Sequence, residues 1–155
     1  MYDDCWLPFR KRTVSSLTAE AEVSHPVLTN GYDRPIGNES NSAVLEKGES
    51  VTFTFDGIRD IRGVRIVFDS DLNRPEKNMP CAYPLNLKGY VTPKTLVRDY
   101  ELIFHTESGD VTVSIKDNYQ RLNVNDVSVK ADKVTFIPLE TNGAEKCNVF
   151  SIDIL

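Results

Sequence analysis

Aromatic rings standing beside amide, carboxylate and guanidinium groups recur in three stretches of the 155-residue chain. Tyr32, Asp33 and Arg34 are contiguous. Asn73, Arg74, Tyr83 and Tyr90 form a second set, and Asn118, Tyr119 and Arg121 a third. A sugar ring needs this combination, because its apolar face stacks on an aromatic and its hydroxyls take a fork of donors and acceptors. Arg34, Asn73, Arg74, Tyr83, Tyr90, Asn118, Tyr119 and Arg121 are therefore the candidate ligand-binding residues. Tyrosines in proline-rich loops also cap a fold and satisfy its backbone, and the sequence leaves both uses open.

Bond-making chemistry has no comparable foothold. The chain holds no GxSxG elbow, no HExxH, no P-loop and no GxGxxG after a strand, so no catalytic residue and no cofactor are expected within it. Asp69-Ser70-Asp71 is dense enough in oxygen to hold a hard cation such as calcium, but Asp and Ser at a strand end also cap turns with their own side chains. Cys5, Cys81 and Cys147 lack CxxC spacing and read as structural thiols; with His25 and His105 they suggest no metal site. Asn38-Glu39-Ser40 has the Asn-x-Ser acceptor pattern, which is frequent by chance.

The elements that would position these groups are strands. Period-two alternation appears at Leu17, Ala19, Ala21 and Val23, at Val51, Phe53 and Phe55, at Val64, Ile66 and Phe68, and at Tyr100, Leu102 and Phe104. It returns at Val111, Val113 and Ile115, at Val127 and Val129, at Val134 and Phe136, and at Phe150, Ile152 and Ile154. Residues 131–133 are expected to close a hairpin. Eight short strands without a helical run of ten residues predict an all-β fold, an antiparallel β-sandwich or jelly roll.

If successive strands run antiparallel, their connections alternate between the two ends of the sandwich. One end then receives the short turns 57–60, 107–110 and 131–133. The other receives 25–50, 70–97, 117–122 and 140–146, and two of these exceed the ~12–15 residues beyond which a structureless loop is usually functional. Six of the eight prolines lie in those two, fixing their shape without making them strands. All candidate ligand residues fall at this end, where rigid strands would hold the loops together as a binding surface.

Composition agrees with that architecture and excludes other roles. Val, Ile, Thr and the aromatics number 16, 9, 11 and 14 against only 6 Ala, a bias toward pleated surfaces. With 18 Lys+Arg against 23 Asp+Glu, the net charge of −5 argues against nucleic acid as a partner. No apolar run approaches the ~20 residues that span a bilayer, so no membrane partner is expected. Residues 1–12 open acidic and turn basic without the apolar core of a signal peptide, which predicts either a cytoplasmic protein or a piece of a longer one and leaves localisation open. Trp6, Leu7, Pro8 and Phe9 suit packing against a preceding domain or folding back as an arm. The chain thus divides into a junction at 1–17 and a sandwich at 18–155.

VLTNGYDRPI at 27–36 and VRIVFDSDLNR at 64–74 carry a resemblance to the C-terminal module of a family of bacterial FAD-dependent oxidoreductases. DDCWLPFRKR at 3–12 resembles the end of that family's flavin domain, and MPCAYPL at 79–85 and NYQRLNV at 118–124 fit the same pattern. The module is similar to galactose-binding-like, discoidin-type jelly rolls. The resemblance implies a galactose-binding-domain-like sandwich without catalysis of its own. It also implies FAD held by an upstream flavin domain in cis, and a glycan as the ligand at the loop-bearing end. The family's flavin-contacting residues lie in that upstream half and have no counterparts here. A free carbohydrate-binding module and a subunit-interaction domain without a small ligand are the competing readings.

Overall fold

The computed structural model describes residues 10–71 and 92–155. Among these residues seven strands follow a short α1 (Ser16–Glu20): β1 (Glu22–Val23), β2 (Ala43–Leu45), β3 (Val51–Phe68), β4 (Val97–Thr106), β5 (Gly109–Ile115), β6 (Leu122–Thr141) and β7 (Cys147–Ile154). A single 3-10 turn, Pro26–Thr29, sits between β1 and β2. All pairings are antiparallel and the strand order is β2-β7-β3-β6-β4-β5, with β1 added beside β3. The fold is the all-β sandwich that the alternation predicts.

Two strands build both layers. The first part of β3 pairs with the last part of β6, Val51 opposite Phe136, in the layer completed by β1, β4 and β5. The last part of β3 pairs with the first part of β6, Val67 opposite Leu122, in the layer completed by β7 and β2. Between them the ribbon bends. Residues 55–58 bulge opposite Asp132, and a second irregularity separates Ile61 from Gly63. An extra unpaired residue increases local twist and turns a strand from one sheet into the next. Gly63 fits there because a side chain would meet the Asn125 carbonyl oxygen at 3.1 Å.

This corrects the expected hairpin at 131–133 and the expected turn at 57–60. Both are bends within continuous strands, because β3 and β6 hold each other in register on either side. A second correction concerns residues 17–23. Ser15 accepts a hydrogen bond from the Thr18 amide at 3.3 Å and caps a helical turn before the chain becomes extended at Glu22. The Thr18 hydroxyl in turn accepts from the Ile154 amide at 2.7 Å, fixing the helix to β7. A third strand-level difference is β2, which lies inside the loop expected over 25–50.

The core fills the space between the layers. Phe68 from one layer meets Tyr100 and Phe136 from the other, with ring centroids 5.2 and 6.3 Å away. These tilted contacts add to area burial by about 0.5–1.5 kcal/mol per pair. The Tyr100 hydroxyl reaches the core edge at Asn125, 3.2 Å away, and burial pushes its pKa up to about 12.

Candidate functional site

Loops from four connections meet at one end of the sandwich. The end of β3 touches the start of β6 through the Phe68 amide, which donates to the Arg121 carbonyl at 2.9 Å. The segment before β4 touches the β6–β7 loop, where Asn142 and Ala144 amides donate to the Leu96 and Lys94 carbonyls. The β5–β6 loop touches β4 through the Asn118 amide and the Arg98 carbonyl, 2.9 Å apart. The first loop joins them because an Arg121 Nη2 donates to the Asp33 carbonyl. The bends at 55–62 and 130–132 lie at the opposite end with the Glu107–Ser108 turn. Although two of the expected turns are bends, the sorting of loops by end therefore agrees with this arrangement, since a strand that crosses between layers reverses direction as a hairpin would.

Asn118, Tyr119 and Arg121 are neighbours in sequence with different surroundings. Asn118 is buried, and its amide nitrogen donates to the Val97 and Gln120 carbonyls at 2.8 and 3.0 Å. Its amide oxygen accepts from the Gln120 amide at 2.9 Å and from Asn123 at 3.2 Å. That side chain replaces the missing backbone ladder of a tight loop, a common use of Asn. Arg121 is buried too, with Nη1 3.2 Å from the Phe68 carbonyl and its guanidinium 5.1 Å from the Phe150 ring centroid. Tyr119 stands between them and is 64% exposed. The loop thus presents one aromatic ring to solvent on a backbone fixed from beneath.

Arg34 is half-buried in the first loop, and its carbonyl accepts from Asn41 at 3.3 Å. Tyr32, also half-buried, has its amide bonded to Asn30 Oδ1 at 2.9 Å and Lys11 Nζ 5.9 Å from its ring centroid. Asn73, Arg74, Tyr83 and Tyr90 lie outside the described residues. Asp69 is held in a local turn, accepting from the Asp71 amide at 2.8 Å and from Asn148 at 3.1 Å. One of its oxygens thus serves the turn and the other ties it to β7. Among the described residues, no three His, Cys, Asp or Glu side chains converge as a metal site. Cys147 is buried, and burial pushes its thiol up to about 11. Asn38 lies in the turn closed by the Ile36–Glu39 bridge, and Asn38, Glu39 and Ser40 are all exposed.

Asp33 has the densest surroundings. Its carboxylate accepts from Ser151 at 2.5 Å and from Arg65 at 3.0 Å, with Arg12 Nε at 3.2 Å. Arg12 also bonds Asp153, and Arg65 lies 3.9 Å from the same carboxylate. Burial alone would raise the Asp33 carboxyl, but the Ser151 hydroxyl and the two guanidiniums outweigh it and hold Asp33 below the usual range. Burial dominates at Asp153, raising it despite Arg12 and Arg65, and its Oδ1 is buried without a partner among the described residues. Sequence reading missed Arg65, Ser151 and Asp153. Their alternation with apolar neighbours points them away from the core, which suggests solvent, whereas the first loop and residues 10–15 cover that face.

A constellation with the order of a catalytic triad also occurs, at Asp110, His105 and Thr135. His105 Nδ1 lies 2.9 Å from Asp110 and Nε2 3.0 Å from the Thr135 hydroxyl. Thr135 is only 7% exposed, so its oxygen is closed to an incoming carbonyl. Its position across β4, β5 and β6 makes it a cross-strand lock.

No family model matches the chain, and no curated protein matches it significantly. Solved structures match its fold. The family 32 carbohydrate-binding module of Clostridium perfringens NanJ, in complex with galactose, has a TM-score of 0.57 at 9% identity, covering 91% of this chain and 97% of that one. CpGH89CBM32-5 from Clostridium perfringens, in complex with GalNAc-β-1,3-galactose, gives 0.59 at 14% identity over 91% and 99%. A two-domain protein of unknown function from Bacteroides fragilis gives 0.60 at 12% identity, covering 94% of this chain and 45% of that protein. The architecture is thus shared with family 32 carbohydrate-binding modules, and none of these three is described as a flavin enzyme.

Proposed function

We propose that the chain is a non-catalytic carbohydrate-binding module, an accessory domain that holds a larger protein on a glycan. The observation that carries this reading is Tyr119, exposed on a loop that Asn118 and Arg121 fix from beneath, at the loop-bearing end of a sandwich shared with sugar-binding modules. A rigid aromatic loses little conformational freedom when a sugar face stacks on it. Asn118 and Arg121 act here as framework, and the rims of the first and third loops supply the polar contacts. Calorimetry with galactose and N-acetylgalactosamine, preceded by a broad glycan array, tests the reading. Binding that falls about tenfold or more in Tyr119→Ala is expected; absence of binding to every glycan would overturn it.

The resemblance of residues 3–12 and 64–74 supports a finer reading, in which the larger protein is an FAD-dependent oxidoreductase with its flavin domain directly upstream. The coding sequence 5′ of Met1 tests this independently. An encoded flavin domain there would support it, and an in-frame stop codon directly upstream of Met1 would exclude it.

A further inference from the structure

We propose that Arg12 and Asp33 are positioning residues for the loop-bearing end, so that the segment entering the sandwich completes the glycan site without touching the glycan. The purpose assigned here rests on the carbohydrate-binding reading, whereas the coupling rests on geometry alone.

The outer face of the β3–β7 layer carries two charges of its own, Arg65 and Asp153, directly paired across the strands. The first loop contributes Asp33 and the entering segment contributes Arg12, and each of these four side chains is at most 11% exposed. Among the described residues two guanidiniums thus meet two carboxylates, and these four charges balance only when Arg12 is in place. A buried charge without its partner is strongly unfavourable. Without Arg12, a single guanidinium would face two carboxylates.

The relief available to such a cluster is unequal. Asp153 and Arg65 are fixed by the sheet ladder, whereas Asp33 sits on the connection between the 3-10 turn and β2 and can retreat to water. Its departure would take away its carbonyl, which holds Arg121 at the root of the Tyr119 loop. It would also move Tyr32 and Arg34, which flank it. The entering segment and this loop are already mated through the backbone, since the Arg12 amide donates to the Gly31 carbonyl at 2.7 Å. Gly31 is needed there: its φ is +85°, and a Cβ would lie 2.6 Å from the Arg12 carbonyl oxygen.

Hydrogen exchange on the full chain tests the coupling without any sugar. In Arg12→Met, which keeps an apolar stem and removes the charged head, amide exchange over 30–42 and 116–121 should rise about tenfold or more, with 51–68 and 97–106 unchanged. Unchanged exchange in both loops, or an equal rise throughout the chain, would overturn the proposal. If Arg12→Met does not fold, Arg12→Lys carries the test. It keeps the charge but loses the fork that spans Asp33 and Asp153, so exchange over 30–42 should rise about threefold, and no rise there overturns the proposal. The glycan array and galactose titration on the same variants separate the two readings: a wild type that binds no glycan removes the functional proposal and leaves the exchange result standing.

Discussion

The two ends of the sandwich reverse the chain by different means. At the bend end, β3 and β6 pass from one layer to the other without leaving their strands, and backbone pairing continues on either side of the bulges. The charged side chains there, Arg59 with Glu20 and Asp56, are surface ion pairs. At the loop end the backbone ladder stops, and side chains take over: Asn118 bonds to β4, Arg121 to the first loop, Asp33 to β3 and Asp69 to β7. Order at the first end is a property of the sheet, and at the second it belongs to a few polar residues whose loss cannot be compensated locally.

That contrast is sharpest at Asp33. Asp33→Ala leaves Arg12 and Arg65 buried with one carboxylate between them, and urea unfolding should show a loss of about 3–5 kcal/mol. The same residue gives the contrast a pH dependence. A carboxyl depressed in the folded state contributes stability above its ordinary value of about 4, and that contribution is lost as pH falls through the lower folded value. Asp153, raised by burial, acts with the opposite sign: stability gained by protonating it returns as pH falls through its raised value. Melting temperature followed from pH 7 to 2 should fall less steeply at the acid end in Asp33→Asn than in wild type.

Asn118→Ala should cost about 1–3 kcal/mol in the same unfolding measurement, because the Val97 carbonyl and the Gln120 amide lose their partner. It should also weaken galactose binding by loosening Tyr119. Alkylation of Cys147 under native conditions, located by peptide mass mapping, should be negligible at pH 8 and appear on denaturation, since a buried thiol with a pKa near 11 offers almost no thiolate. Arg59→Gln at the bend end should leave the melting temperature unchanged within error. A clear drop there would erase the distinction between the two ends.

Most strand segments are legible because alternation reports burial directly: β4, β5, β7 and both halves of β3 and β6 coincide with the apolar repeats. Their joining is not legible. Gly57, Asp60 and Asp132 are turn-forming residues whether the chain turns back or bends onward, and the choice is made by a partner strand far away in sequence. Leu17 packs on the core from α1 and Ala21 from the extended residue that ends it, yet their spacing of four is common to helical and alternating patterns. At the loop end, Tyr119 and Asn118 look equivalent as sequence. Whether a polar loop residue faces the protein or the water depends on carbonyls such as that of Val97, which no local pattern announces.

The strand order also sets a timetable. Among the described residues, β4 and β5 form the one pairing between successive strands joined by a tight turn, whereas β3 must find β6 across the whole of β4 and β5. The strand that sits between β2 and β3 is β7, which follows both in the chain after β4, β5 and β6. Neither layer can close from local contacts alone, so loop-closure entropy is met before most of the core can form, and refolding on the millisecond-to-second scale of non-local β proteins is the expectation. The Arg12–Asp33–Asp153 cluster, which joins the beginning of the described chain to its end, would be among the last features to assemble.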